Sequence, residues 1–133
     1  MIIDHNLNDF FVQVLEDLPC RVDTKSYIVG IFTKYKTAQD DFSKDSITML
    51  YSEAKMHHNF SKYQNLADWI FFANTIAPQH LNNASKDYYQ TIARLSYYSC
   101  YRLIDKQWVC FEELADNFIS IEHQVKKRLT SLL

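Results

Sequence analysis

Apolar residues recur every three or four positions in six stretches of the chain, and that period predicts helices. The first covers about residues 7–18, with Leu7, Phe10, Phe11, Val14, Leu15 and Leu18 on one side. Pro19 ends it, because proline has no N–H to continue the ladder. Asp23 is placed to cap a second helix over about 24–37, whose apolar face is Tyr27, Ile28, Ile31, Phe32 and Tyr35. The stretch Tyr27-Ile28-Val29-Gly30-Ile31-Phe32 is also rich in strand formers, so a strand competes there. Gly30 inside a helix costs about 1 kcal/mol relative to Ala, which points to close backbone packing as compensation. After a polar connection at 38–45, Asp45 is placed to cap a third helix. Its inward residues are Ile47, Leu50, Tyr51 and Ala54, and His57-His58-Asn59 ends it.

The fourth segment differs from the others. Ser61 and Gln64 have the capping-box spacing. Beyond them Leu66, Ala67, Trp69, Ile70, Phe71, Phe72, Ala73, Ile76 and Ala77 are apolar nearly all round. A helix apolar on every side is an enclosed one. Pro78 marks its exit, and Asn82-Asn83 supplies a turn tolerant of left-handed backbone. A fifth helix starts after Ser85 and carries Tyr88, Tyr89, Ile92, Ala93, Tyr97, Cys100, Tyr101 and Ile104. A sixth, about 110–131, repeats Phe111, Leu114, Phe118, Ile121 and Val125. That stripe has coiled-coil spacing, but Arg128 breaks the series, so packing on the chain's own core is expected. The pattern predicts one all-α domain of five to six helices around a buried central helix at 60–77.

Composition narrows this picture without changing it. Hydrophobic residues make up 47% and charged residues 23%, which suits a folded globular chain and excludes disorder as its main state. One Gly and two Pro exclude collagen-like and loop-rich architectures. The 14 basic and 16 acidic residues are interspersed, and no basic face is visible, so nucleic acid is not an expected partner. The run Lys126-Lys127-Arg128 reads as the cationic last turn of a helix. Three cysteines, Cys20, Cys100 and Cys110, show no paired spacing. No basic start followed by an apolar stretch is present, and no apolar run approaches a membrane span. A cytoplasmic protein without membrane attachment is the expectation.

Candidate chemistry is sparse. Glu53 and His57, four apart on one helix, form a two-ligand face at most; neither Glu-x-x-His nor His-Glu-x-x-His occurs, so no metal is expected. With a single Gly, no phosphate-cradling loop is available, and no cofactor is expected. The cysteines sit among apolar neighbours and read as core residues. Asp68, between Leu66-Ala67 and Trp69-Ile70, must be buried and therefore partnered. Tyrosine hydroxyls or backbone N–H groups of a neighbouring helix would satisfy it; the other reading is a ligand-binding or proton-accepting group. Five tyrosines, Tyr88, Tyr89, Tyr97, Tyr98 and Tyr101, crowd onto one helix. They cannot all share one core stripe, so some face solvent, a ligand or a partner.

Together Asp68, Phe72, Pro78, Leu81, Tyr88-Tyr89, Tyr97 and Phe111-Glu112-Glu113-Leu114-Ala115 form a pattern. It resembles that of a group of uncharacterised bacterial all-helical proteins, with the signature G-D-x-x-L-F-x-x-G-F-F-P-E-x-L, then Y-Y-x-x-M-G-x-x-A-Y, then F-x-E-L-A-x-x-F. Tyr27 to Phe32 is similar to that group's Y-L-V-x-L-L segment, so the likeness spans about residues 27–129. The motif glycines are replaced by Ala67, Thr75 and Ala93. The resemblance implies an all-helical fold and a bacterial cytoplasmic origin. It implies no activity and transfers no catalytic residue.

Two functional expectations follow. The first is a non-enzymatic interaction or adaptor protein, binding a protein partner or itself as a homodimer through surplus aromatics. The second is a small-molecule binder or enzyme with a pocket formed by Asp68, Tyr88, Tyr89 and Tyr97.

Overall fold

A computed structural model describes residues 2–35, 44–76, 78, 81 and 85–131. Among them are seven helices and no strand: α1 (Ile2–Val14), α2 (Val22–Tyr35), α3 (Lys44–His57), α4 (Phe60–Ile76), α5 (Lys86–Leu103), α6 (Val109–Asp116) and α7 (Phe118–Ser131). The strand alternative at Tyr27–Phe32 is thus overruled. Ile28, Ile31 and Phe32 are buried at helical spacing, and that burial outweighs local strand preference. Most of the expected connection at 38–45, the Asn82-Asn83 turn, Ala77 and the Leu7 side chain fall outside the described residues.

Several boundaries differ from expectation, and α2 already begins at Val22, so Asp23 lies in its first turn rather than before it. α1 stops at Val14 because the chain tightens ahead of Pro19. Glu16 N–H donates to the Gln13 carbonyl at 3.2 Å and Leu18 N–H to that of Leu15 at 3.1 Å, both three residues back. Leu15 and Leu18 still enter the core, whereas Phe10 points outward. α3 begins at Lys44, so Asp45 lies inside it rather than before it. α4 is capped by Asn59, whose Oδ1 accepts from Lys62 N–H at 3.0 Å, and not by Ser61. Gln64 is therefore free for another task. The predicted sixth helix divides at Asn117 (φ −113°, ψ 21°), which closes α6 on the Glu113 carbonyl and opens α7 through Ile121 N–H. One non-helical residue leaves the stripe in place, and Phe111, Leu114, Phe118, Ile121 and Val125 are all buried.

Scarcity of glycine shows at the helix ends. His58 after α3 (φ 47°) and Asp105 and Lys106 after α5 (φ 56° and 62°) take the left-handed backbone that glycine usually supplies. In both places the N–H groups return to the last turn: Asn59 to Ala54 and His58 to Lys55, Lys106 to Tyr101 and Asp105 to Arg102.

Side-chain pairs give the helix directions. Phe11 meets Phe32 and Lys25 reaches the Glu16 carbonyl, so α1 and α2 are antiparallel. Tyr51 with Tyr63, and Glu53 with Lys62, set α3 against α4 the same way. α5 runs antiparallel to α4, through Tyr97–Asp68 and Cys100–Phe60, and to α7, through Tyr97–Phe118 and Gln90–Glu122. α4 packs on α2, α3, α5 and α7 and buries every residue from Leu66 to Thr75. Ala67 and Ala93 are wholly enclosed, so small residues suit those positions. Thr75, also buried, turns its hydroxyl onto the Phe71 and Phe72 carbonyls of its own helix.

Gly30 does not mark close packing: a Cβ built on it meets nothing within 4 Å. Gly30→Ala is therefore expected to stabilise the protein by about 0.5–1 kcal/mol, because alanine has less backbone entropy to lose. A urea midpoint that falls or stays put on that substitution would reject this account.

Candidate functional site

Asp68 sits mid-way along α4, 4% exposed. Its Oδ1 accepts from the Tyr97 hydroxyl at 2.8 Å and from the Tyr27 hydroxyl at 2.9 Å, and Oδ2 lies 3.0 Å from Tyr27 as well. Gln64, one turn back on α4, donates its Nε2 to the Tyr27 oxygen at 2.9 Å. That donation occupies a Tyr27 lone pair and leaves the phenol proton for Asp68. Three helices thus join through one carboxylate. Phe111 of α6 closes the site, edge-on to Tyr27 at 5.2 Å and stacked on Tyr97 at 6.2 Å.

The electrostatics follow from this enclosure. Burial raises the Asp68 pKa to about 6; the Tyr97 and Tyr27 hydrogen bonds, then Lys34, pull it down but do not cancel burial. Both tyrosines are pushed up by burial first and by the Asp68 charge second, so they remain donors. Cys100 is raised by burial and then by Asp68. Burial likewise lifts Cys20 and Cys110 to about 11. All three thiols stay protonated near neutrality and are poor nucleophiles.

Of the residues expected to share a pocket, the structure brings Asp68 and Tyr97 together. Tyr88 and Tyr89 lie two turns nearer the start of α5, about 12 Å along its axis from Tyr97. The Tyr88 hydroxyl bonds to Thr48 of α3, and the Tyr88 and Tyr89 rings meet at 5.7 Å. Of the five tyrosines on α5, Tyr89 and Tyr97 are buried, Tyr88 and Tyr101 are half-buried, and only Tyr98 is exposed. Two members of the network lie outside the expected set: Tyr27, 41 residues from Asp68, and Gln64, which reaches Asp68 only through Tyr27. A second buried carboxylate, Glu122 of α7, lies alongside the apolar stripe and was not among the expected site residues. It is 2% exposed and takes Gln90 Nε2 on Oε1 at 2.7 Å, with Lys86 at 3.8 Å. Its place in an i, i+4 series with Phe118 was the available signal.

Glu53 pairs with Lys62 at 3.2 Å, while His57 is exposed. Among the described residues no three His, Cys, Asp or Glu side chains converge as a metal site would require. Nor is any helix among them long and apolar enough to cross a membrane.

The surface offers a different feature. Along α5, Leu95 and Tyr98 stand between two hollows. One, of about 290 Å³, runs past Thr91, Arg94, Ala115 and Asp116. The other, of about 540 Å³, lies between α5 and the α3–α4 corner, lined by Tyr51, Lys55, His58, Tyr63, Ser99, Arg102 and Leu103 besides Leu95 and Tyr98. Lys55 and Arg102 occupy the last turns of α3 and α5, where a cation also complements the helix dipole. Both lean on tyrosine rings, Lys55 on Tyr51 at 5.7 Å and Arg102 on Tyr98 at 5.9 Å.

Comparison of the chain with protein-family models, with curated proteins and with solved structures finds no match.

Proposed function

We propose that this protein is a non-enzymatic interaction module: a single domain supported by α4 that uses the outer ridge of α5 to dock a protein partner or a second copy of itself, in the cytoplasm. One observation carries the reading. Leu95, Tyr98 and Leu103 are 44%, 43% and 40% exposed, and they border a groove large enough to receive side chains from another molecule. A tyrosine at such a ridge offers broad contact area with little entropy to lose.

The small-molecule alternative draws less support. Asp68, its proposed anchor, is enclosed by Tyr27, Tyr97 and Phe111, and the hollows on α5 do not reach it.

Site-specific photocrosslinking in the host cell tests the proposal. A benzophenone side chain at Tyr98 is expected to give discrete adducts, and the same group at exposed Ser120 of α7 none. A self-adduct at twice the chain mass would identify a homodimer. Adducts from neither position, or equally from both, would overturn the reading.

A further inference from the structure

The larger groove has a charge character opposite to that of the chain. The protein carries a net charge of −2, yet two fixed cations, Lys55 and Arg102, line this groove with His58, and no Asp or Glu does. Neither cation is paired with a carboxylate among the described residues; each rests on an aromatic face instead. A cation–π contact orients a side chain but leaves its charge unneutralised, and its N–H groups can still meet an acceptor. The walls between the cations are apolar or phenolic, from Tyr51, Tyr63, Leu95 and Tyr98. His58 holds its place at the rim with a left-handed backbone, where glycine would be easier.

Resting on the interaction-module reading, we infer that this groove docks an acidic segment of a partner protein, whose carboxylates meet Lys55 and Arg102 while its apolar side chains enter between Tyr63, Leu95 and Tyr98. The opposed charges supply selection against basic and neutral segments; the aromatic walls supply contact area. Single-stranded nucleic acid also combines charge with stacking. However, it needs a cationic track following several phosphates, and two fixed cations on a chain of net negative charge do not make one.

The test uses the whole protein and three fluorescent peptides of equal length. They share the same Leu and Phe positions and differ only in having Glu, Ser or Lys at the others. A labelled oligothymidylate is the fourth probe. Anisotropy is expected to show the Glu peptide binding about tenfold tighter than the Ser peptide, with most of that margin lost at high salt. The double reversal Lys55→Glu and Arg102→Glu changes only exposed side chains, and unchanged circular dichroism will show that it folds. It is expected to move the preference to the Lys peptide. Equal binding of the Glu and Ser peptides would overturn acidic selection while leaving a docking groove. Binding of no peptide would overturn the inference, and the Tyr98 crosslink then reads separately whether the module proposal survives. Tighter binding of the oligothymidylate than of any peptide would assign the groove to nucleic acid instead.

Discussion

Asp68→Asn is expected to stabilise the protein at pH 7 by about 1–3 kcal/mol and to remove most of an unusual pH dependence. The wild-type carboxyl has a folded pKa of about 6 against an ordinary value of 3.8. Between those values the folded chain binds a proton that the unfolded chain does not. Folding therefore gains stability as the pH falls from about 7 toward 4, and loses it as the pH rises through about 6. The full swing from this one group is on the order of 3 kcal/mol. Asparagine keeps an acceptor for the Tyr97 hydroxyl, and its N–H can donate to the Tyr27 oxygen, so the network stays connected without a buried charge. Urea titrations at several pH values measure both effects. An unchanged slope, or a variant less stable at pH 7, would show that the carboxylate is better solvated than this geometry implies. Asp17 works in the opposite direction, since Arg128 lowers its pKa, but it lies in the open where solvent screens the pair.

Phe111→Ala is expected to cost about 3–5 kcal/mol, the range for deleting a fully buried aromatic ring. The ring has no exposed surface and is surrounded by others: Tyr27 at 5.2 Å, Phe60 at 5.6 Å, Trp108 at 5.9 Å and Tyr97 at 6.2 Å. Because two of those partners hold Asp68, the cavity would also admit water toward the carboxylate. The pH slope should then shrink along with the stability, so Phe111→Ala and Asp68→Asn are expected to be non-additive. Trp108, stacked on Phe111 with its outer face in solvent, gives a fluorescence readout of the same change. Additive effects would mean that Phe111 fills space without shielding Asp68. Phe111→Leu, which keeps most of the volume, should retain most of the stability and the slope.

The three segments that carry the motif resemblance meet at this network: Asp68 from the first, Tyr97 from the second and Phe111 from the third. Their shared geometry is that of a fastening between helices. The interaction reading rests elsewhere, on the ridge of α5. Failure of either expectation above would bear on stability and would leave the groove to its own tests.

Periodic apolar spacing made the helices legible, because a side chain's face on a helix depends only on its distance along the chain. Burial of Asp68 was legible from its place in the chain: Leu66, Ala67, Trp69 and Ile70 flank it, and all are apolar. Local chemistry also governed the ends, but through residues other than those expected, as with Asn59 in place of Ser61 and the break at Asn117. The pairing of Asp68 with Tyr27, the choice of Tyr98 as the exposed tyrosine of α5, and the gathering of Lys55, His58 and Arg102 around one groove were not legible. These depend on how α2, α3, α4 and α5 cross. Helix crossing is decided by the fit of many side chains at once, and no spacing within a single segment records it.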